Sequence, residues 1–368
     1  MKENREKEGL LVKDADGVEY GVRTLGGGCE ITEIRYPISD GPETLAVPAE
    51  LAGRPVLAIG ERAFANEEGV LGPQRIVLPD SVRSIGDHAF AQGNMTEIRL
   101  PRGLVRIGEG AFEDCRELLE ISLPRTVAEI GDCAFAACAS LRAIGVEEGS
   151  TAFSSIGGNL YTRDGSALLH YAAKCPQTSL VIPEGTARLP AFAFYECENL
   201  REVTLPRGIT EIPLYAFCGC RALVSVTLPE GVVRIGASAF EGCLSLRSVA
   251  LPSTLGEIAR AAFWGCRSLA SLSLPPQLTA IGRAAFRFCT SLVSLALPAR
   301  VERLGGDAFF GCAALESVSL PLAVAEVGED AFAECPSLTV YTEHTATPDG
   351  WSPEWNPQNR PVFWGSKE

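Results

Sequence analysis

Apolar and polar positions recur with a fixed period along most of this 368-residue chain. An aliphatic residue followed by proline marks each recurrence, and in the second half of the chain these dipeptides lie 23 residues apart without a slip. The dipeptides are Ile182-Pro183, Leu205-Pro206, Leu228-Pro229, Leu251-Pro252, Leu274-Pro275, Leu297-Pro298 and Leu320-Pro321. Such regularity is the signature of a repeat architecture in which similar units stack. The chain is therefore predicted to form a solenoid.

The segment 243–265 represents one repeat and predicts the elements that each repeat contains. Its residues Val249 and Leu251 alternate with small residues, as in a half-buried β-strand, and Pro252 ends that strand because proline has no N–H to donate. A second, shorter apolar edge follows, and Phe263 is expected on a helical or 3₁₀ turn with its ring in the interior. One repeat buries too little apolar surface to fold alone, so its stability must come from stacking on its neighbours.

Breaks in the period predict how the chain is divided. Phe135 and Phe194, the Ala-Phe phenylalanines of successive repeats, lie 59 residues apart, which indicates an insertion. Asp164-Gly165 within it is a strong hairpin-turn signal. Three of the four tryptophans follow the last repeat, where they are expected to cover the open end of the core. The predicted segments are a frayed N-terminus at 1–17, a hairpin cap at 18–44, a first block of four Ala-Phe repeats at 45–146, an inserted hairpin segment at 147–176, a second block of seven repeats at 177–340 and a Trp-rich C-terminal cap at 341–368.

The thirteen cysteines invite a disulfide or metal interpretation, but their spacing favours another. Nine of them occupy one repeat position, three residues after the phenylalanine: Cys115, Cys138, Cys197, Cys220, Cys243, Cys266, Cys289, Cys312 and Cys335. Side chains stacked in this way point in the same direction, which does not suit disulfide geometry. Each is expected to act as a small buried apolar residue. The odd total and the lack of paired spacing are typical of a reduced protein.

Charge and hydropathy narrow the classes of partner. The formal charge is −14 and the pI is near 4.9, which disfavours nucleic acid and anionic membranes because binding to them depends on Lys and Arg. No apolar run of about 18 residues that could span a bilayer is present. The first residues, MKENREKEGLLVKDADG, lack the apolar region of a signal peptide.

No set of residues indicates catalysis. The three histidines, His88, His170 and His344, lie in separate regions, and no hydrolase, nucleotide-binding or metalloprotease motif is present. Cys218 and Cys220 lack a second pair that would complete a zinc site. We therefore predict no enzyme activity, no catalytic residues, no metal and no cofactor.

The repeat pattern L-x-x-[IV]-x-L-P-x-x-[LVI]-x-x-[IL]-G-x-x-A-F-x-x-C resembles the BspA-like, or Treponema-type, bacterial leucine-rich repeats. The resemblance covers residues 45–340 and eleven Ala-Phe repeats. It implies an α/β-type repeat solenoid that is mainly β: a curved leucine-rich-repeat solenoid with a parallel sheet on the concave face and short helical or 3₁₀ turns on the convex side. It also implies binding of proteins or host-surface molecules, and no chemistry.

Two sets of residues are candidates for partner binding. The first comprises the small outward positions of the last five full repeats: Ser225, Thr227, Ser248, Ala250, Ser271, Ser273, Ser294, Ala296, Ser317 and Ser319. The second comprises aromatic residues in the turn after each repeat phenylalanine: Tyr195, Trp264, Phe288 and Phe310. Each has a structural alternative, since inner-face side chains can be small because they are crowded, and the aromatic side chains can pack over the cysteines. The inserted hairpin is a third candidate, with a structural spacer as its alternative.

These observations predict a non-catalytic interaction module that binds a protein partner through the concave strand face and the adjoining flank. The resemblance points to adhesion to a host extracellular-matrix or cell-surface protein by a monomer. The alternative function is a structural spacer or coat protein with no specific ligand. The resemblance predicts a secreted or surface location, whereas a native start at Met1 and the reduced cysteines would predict the cytoplasm.

Overall fold

The computed structural model describes residues 10–36, 42–66 and 72–366, and the chain divides into two compact units. The first unit contains Met1–Asp164 and Leu169–Cys175, and the second contains Gly165–Leu168 and Pro176–Glu368. Each unit is a β-solenoid built from two ladders of parallel strands, one of longer and one of shorter strands. No helix is found among the described residues. None of those residues forms a helical segment long and apolar enough to cross a membrane.

The first unit contains the N-terminal strands. They are β1 (Leu10–Lys13), β2 (Glu19–Leu25), β3 (Gly28–Arg35), β4 (Thr44–Ala46), β5 (Glu50–Leu51), β6 (Arg54–Ile59), β7 (Arg75–Val77), β8 (Ser84–Ile85), β9 (Glu97–Arg99), β10 (Arg106–Ile107), β11 (Glu120–Leu123), β12 (Glu129–Ile130), β13 (Ala143–Val146), β14 (Phe153–Ile156) and β15 (Asn159–Thr162). The long-strand sheet has the order β13-β11-β9-β7-β4. The short-strand sheet has the order β1-β2-β3-β6-β8-β10-β12, in which β1, β2 and β3 are antiparallel. Strand β16 (Leu168–His170) follows and forms a separate sheet with β14 and β15.

The second unit contains the remaining strands. They are β17 (Ser179–Val181), β18 (Glu202–Thr204), β19 (Glu211–Ile212), β20 (Ser225–Thr227), β21 (Arg234–Ile235), β22 (Ser248–Ala250), β23 (Glu257–Ile258), β24 (Ala280–Ile281), β25 (Ser294–Ala296), β26 (Arg303–Leu304), β27 (Ser317–Leu320), β28 (Glu326–Val327), β29 (Thr339–Thr342) and β30 (Val362–Trp364). The short-strand sheet β19-β21-β23-β24-β26-β28 is continuous. The long strands form two sheets, β17-β18-β20-β22 and β25-β27-β29-β30.

Short helical or 3₁₀ turns were predicted on the convex side of the repeats, and that prediction is wrong for the described residues. In a typical repeat, Ala261, Phe263 and Gly265 donate their backbone N–H groups to carbonyls of the next repeat, each over 2.8 Å. Ala261 and Gly265 also have left-handed φ values of 54° and 70°. An α- or 3₁₀-helix needs consecutive right-handed residues whose N–H groups donate four or three residues back. Here only alternate residues bond within the turn, as the Trp264 N–H does to the Ala261 carbonyl over 3.0 Å. The turn therefore forms a third set of bonds between repeats.

Phenylalanine side chains form the centre of each core. In the first unit the Phe90 and Phe112 rings stack at 5.3 Å, and in the second the Phe240 and Phe263 rings stack at 5.1 Å. The rings are nearly parallel, and all four side chains are fully buried. The identical position in each repeat places the rings one rung apart, so they exclude water along the whole stack.

The cysteine position has a function that the sequence did not reveal. All thirteen cysteines are free, and the Cys243 thiol donates a hydrogen bond to the carbonyl oxygen of Phe217 in the preceding repeat, over 3.1 Å. Cys266 bonds Phe240 in the same way. The predicted burial is confirmed. The thiol also links repeats as a second donor to a carbonyl that already accepts a backbone N–H in its own turn, as Phe217 does from Cys220.

Candidate functional site

The ten small outward residues of the second unit are called the serine face. Parallel pairing places Ser225 beside Ser248 and Thr227 beside Ala250, so these side chains share one side of their sheet. Ser294 and Ser317 pair in the same register in the other long-strand sheet. The intervening residues, such as Val249, are buried. The alternation predicted from sequence therefore separates the core from an outward face.

Exposure is uneven along the serine face. Its middle is exposed to solvent: Thr227, Ser248, Ala250, Ser271, Ser273, Ser294 and Ala296. Ser225 and Ser319 are half-buried, and Ser317 is buried. Near the buried end, Tyr341 of β29 stacks on Phe363 of β30 at 5.3 Å. A partner would therefore reach the middle of the serine face but not the Ser317 hydroxyl.

The middle of the serine face is also where the long-strand sheet is interrupted. Ser271 and Ser273 lie between β22 and β25 but belong to neither sheet. Leu272 between them still points inward and is buried. Within the described part of the chain, the backbone N–H and C=O groups of these three residues form no hydrogen bond. The Ser271 and Ser273 side chains are therefore exposed where the strand pairing is interrupted.

The predicted flank aromatics form two separate clusters. Tyr195 contacts Phe192 with ring centres 5.7 Å apart, and Phe192 stacks on Tyr215 at 5.0 Å. Phe288 and Phe310 meet edge to face at 5.6 Å, which is a favourable aromatic geometry. The structure thus brings Phe288 and Phe310 together and places Tyr195 in a different cluster.

Arg287 organises the second cluster and was missed from the sequence. Its guanidinium lies 3.9 Å from the centre of the Phe310 ring, 5.0 Å from that of Phe288 and 6.0 Å from that of Trp264. The mostly buried carboxylate of Asp307 holds it through an ion pair of 2.5 Å. Cations over aromatic faces are stabilised when partly desolvated. No spacing rule would have selected Arg287, because its partners come from three repeats.

Phe288 is an unusually large residue for its backbone position. Its φ is 59°, and the equivalent residue of other repeats is also left-handed: it is glycine at Gly219, Gly242, Gly265 and Gly311 and another residue at Gln92, Asp114, Ala137, Glu196 and Glu334. A bulky side chain in the left-handed region costs about 1–3 kcal/mol. A Cβ on Gly311 would lie 2.5 Å from the Phe288 ring, so that glycine makes room for it. The replacement of glycine by phenylalanine in the repeat alignment is a signal that could have identified this position.

The inserted hairpin lies against its unit. Leu160 and Tyr161 of β15 are buried, and the Ser155 hydroxyl donates a hydrogen bond of 2.6 Å to the carbonyl of Ile144 in β13. Burial raises the pKa of Tyr161 to about 12. His170 of β16 lies 5.8 Å from Phe135, ring centre to ring centre, at the end of the phenylalanine stack, and burial lowers its pKa to about 4. These contacts favour the structural role for the hairpin.

The described residues offer no arrangement typical of a metal site or a reactive thiol. No group of three or more His, Cys, Asp or Glu side chains among them is placed to hold a metal ion. Burial raises the pKa of the Cys243, Cys289 and Cys312 thiols well above the ordinary value. A buried thiol in its neutral form is a poor nucleophile.

Solved structures of bacterial repeat proteins have the same fold. A leucine-rich repeat protein from Eubacterium ventriosum superposes with a TM-score of 0.70 at 20% identity, covering 93% of this chain and 97% of that chain. The pneumococcal vaccine antigen PcpA gives 0.61 at 19% identity, with 97% and 99% covered. A leucine-rich repeat protein from Bacteroides ovatus gives 0.52 at 24% identity, with 95% and 99% covered. At these identities the likeness establishes the fold alone.

Sequence comparison identifies the family. No curated protein has a matching sequence. The BspA type leucine-rich repeat region matches residues 54–163, 170–230 and 210–339 in six copies, which together span well over half of the chain. The resemblance seen in the repeat pattern is thereby confirmed, and the chain belongs to the BspA-type leucine-rich repeat family.

Proposed function

We propose that this protein is a non-catalytic interaction module that binds a protein partner through the serine face and the adjoining aromatic flank. The observation that carries the proposal is the exposed middle of the serine face, a row of small side chains from Thr227 to Ala296 against which an extended segment or a flat surface of a partner can lie. Adhesion to a cell-surface or extracellular-matrix protein by a monomer belongs to the same proposal.

The aromatic cluster around Arg287 supports a second contact region. Trp264 has 36% of its surface exposed, and Phe288 and Phe310 are half-buried around the guanidinium. Tryptophan, tyrosine and arginine held rigidly in this way dominate binding energy at protein interfaces.

Substitution of two exposed serines tests the proposal. Ser271→Arg combined with Ser294→Arg places two long charged side chains on the serine face. Binding to surfaces coated with extracellular-matrix proteins or host cells is measured by biolayer interferometry, with circular dichroism to check the fold. Saturable binding by the natural chain that falls at least tenfold in this variant supports the proposal.

A matched control keeps the test specific. Ala313→Arg combined with Leu322→Arg adds the same charge at exposed positions outside the serine face, and its binding should stay within twofold of the natural chain. Equal loss in both variants would mean that charge alone controls binding, and the serine face would be excluded. The absence of saturable binding to every surface would favour the spacer or coat function instead.

A further inference from the structure

A cavity of about 240 Å³ opens in the second unit at the corner between the cysteine turn and the long strands. It is lined by Arg201, Ala222, Val224, Ser245, Arg247 and Ser268. Two arginines therefore border a recess in which no acidic side chain takes part. A recess bordered by positive and no negative side chains is unusual in a chain whose net charge is −14.

Two further arginines belong to the same corner. Arg221 and Arg267 occupy the position after the cysteine in alternate repeats, while Arg201 and Arg247 directly precede alternate long strands. These four residues are called the arginine corner. All four are exposed, and in the described part of the chain none of them forms an ion pair. By contrast Arg234, Arg283 and Arg287 of the same unit all pair with carboxylates.

One hydroxyl group of the cavity suits an oxyanion as well. The Ser268 hydroxyl is already engaged, because it donates its hydrogen to the Leu244 carbonyl over 2.7 Å. Within the described residues the Ser245 hydroxyl has no hydrogen-bond partner, so its hydrogen is available for an anionic oxygen. Arginine forks bind carboxylate oxygens in pairs with good geometry.

The spacing of the arginines selects one backbone conformation of a ligand. Glu202, Ser225 and Ser248 are successive neighbours in the sheet, so Arg201 and Arg247 lie two rungs apart, or about 9.6 Å at a strand spacing of ~4.8 Å. In a polyproline II helix, residues three apart lie on one side and are separated by about 9.3 Å. Residues two apart in a β-strand are separated by only about 6.8 Å.

Apolar side chains between the arginines favour a peptide over a polysaccharide. Val224 belongs to the repeat between those of Arg201 and Arg247. Leu244, with 37% of its surface exposed, belongs to the repeat between those of Arg221 and Arg267. Acidic side chains alternating with apolar ones match this pattern, whereas a uniformly sulfated sugar would leave these apolar surfaces unmatched. We propose that the arginine corner binds an extended acidic segment of a partner protein whose acidic residues stand three positions apart.

Synthetic peptides test the arginine corner without a known partner, so a negative result leaves the proposed function of the serine face unaffected. The probe is a fluorescent peptide with four Glu-Pro-Pro units, and its comparison peptide has the same composition with the four glutamates adjacent. Binding to the full chain is followed by fluorescence anisotropy at low ionic strength, where exposed charge pairs are least screened. We expect the Glu-Pro-Pro peptide to bind saturably and at least tenfold more tightly than the comparison peptide.

Arginine variants then locate the site. Arg201→Ala combined with Arg247→Ala should weaken peptide binding at least tenfold, with circular dichroism unchanged. Arg207→Ala combined with Arg260→Ala removes the same charge from exposed positions outside the cavity and should change binding less than twofold. The proposal is overturned if both variants behave alike, or if the peptide with adjacent glutamates binds equally well. Binding of heparin through the corner without binding of the peptide would also overturn it, in favour of a sulfated polysaccharide.

Discussion

The two units have the same core but different outward long-strand faces. In the first unit that face has exposed charged residues, and Arg75 of β7 approaches Glu97 of β9 to 3.6 Å. In the second unit the equivalent positions between β20 and β25 hold Ser, Thr and Ala. Buried positions of both units repeat the same leucine, isoleucine, valine and phenylalanine pattern. The comparison teaches that stacking constrains the inward residues alone, so the outward ones are free to differ between units.

The prediction with the largest expected effect tests whether the phenylalanine rings stabilise the two cores equally. Phe112→Ala in the first unit and Phe263→Ala in the second should each lower the free energy of unfolding by about 3–5 kcal/mol. The losses should agree because both rings are fully buried and stacked at similar distances. Urea denaturation followed by circular dichroism measures the loss, and hydrogen exchange assigns it to a unit. Phe263→Leu, which keeps most of the volume, should recover more than half of the loss. A loss below about 1 kcal/mol in one unit alone would refute the equivalence.

A second prediction distinguishes the ends of the two phenylalanine stacks. The first unit ends its stack on His170, whereas the second ends on Trp355, whose ring meets Phe332 at 6.0 Å. The pKa of His170 is lowered to about 4 by burial, so the unfolded chain takes up the proton first as the pH falls. The stability of the first unit should therefore decrease between about pH 6.5 and pH 4, by up to about 3 kcal/mol, and the contribution should then level off.

The variant His170→Phe isolates this contribution. It extends the stack with a group that does not titrate, so the difference in unfolding free energy between variant and natural chain should grow as the pH is lowered from 6.5 to 4. Hydrogen exchange at several pH values measures it for each unit. A difference that stays constant over this range would show that the protonation of His170 is not coupled to folding.

The smallest change in unfolding free energy is expected at Phe288 of the aromatic flank, where the backbone is left-handed. Phe288→Gly introduces the residue that four other repeats hold at this position, where φ is 59°. Relief of strain should offset the lost contacts with Phe310 and Arg287, so the unfolding free energy should change by less than about 1 kcal/mol. The reverse substitution, Gly242→Phe, introduces the same ring at φ 70° without those partners and should cost about 1–3 kcal/mol. Thermal denaturation compares the two variants. A large loss of unfolding free energy in Phe288→Gly would mean that the ring is needed for packing.

Much of the fold was predictable because it repeats. The 23-residue period predicted the strand position around Val249, the burial of Phe263 and the stacking of Cys243. The helical turn was predicted wrongly, because helix propensity is a weak guide that tertiary contacts override. Alternate amides of that turn bond to the next repeat, which a local pattern does not reveal. The segment boundaries and the binding role of the serine face stay predictions.

The sequence by itself determined the family, the register of the strands and the side of each strand that faces the core. These features depend on the identity of a residue and its position in a fixed period, and both can be read along one chain. Only the tertiary structure decided that Arg287 lies against rings from three repeats, that Ser271 and Ser273 fall outside the strand pairing and that Arg201 and Arg247 border one cavity. These features depend on distances between atoms from different repeats, which packing sets and no single repeat encodes.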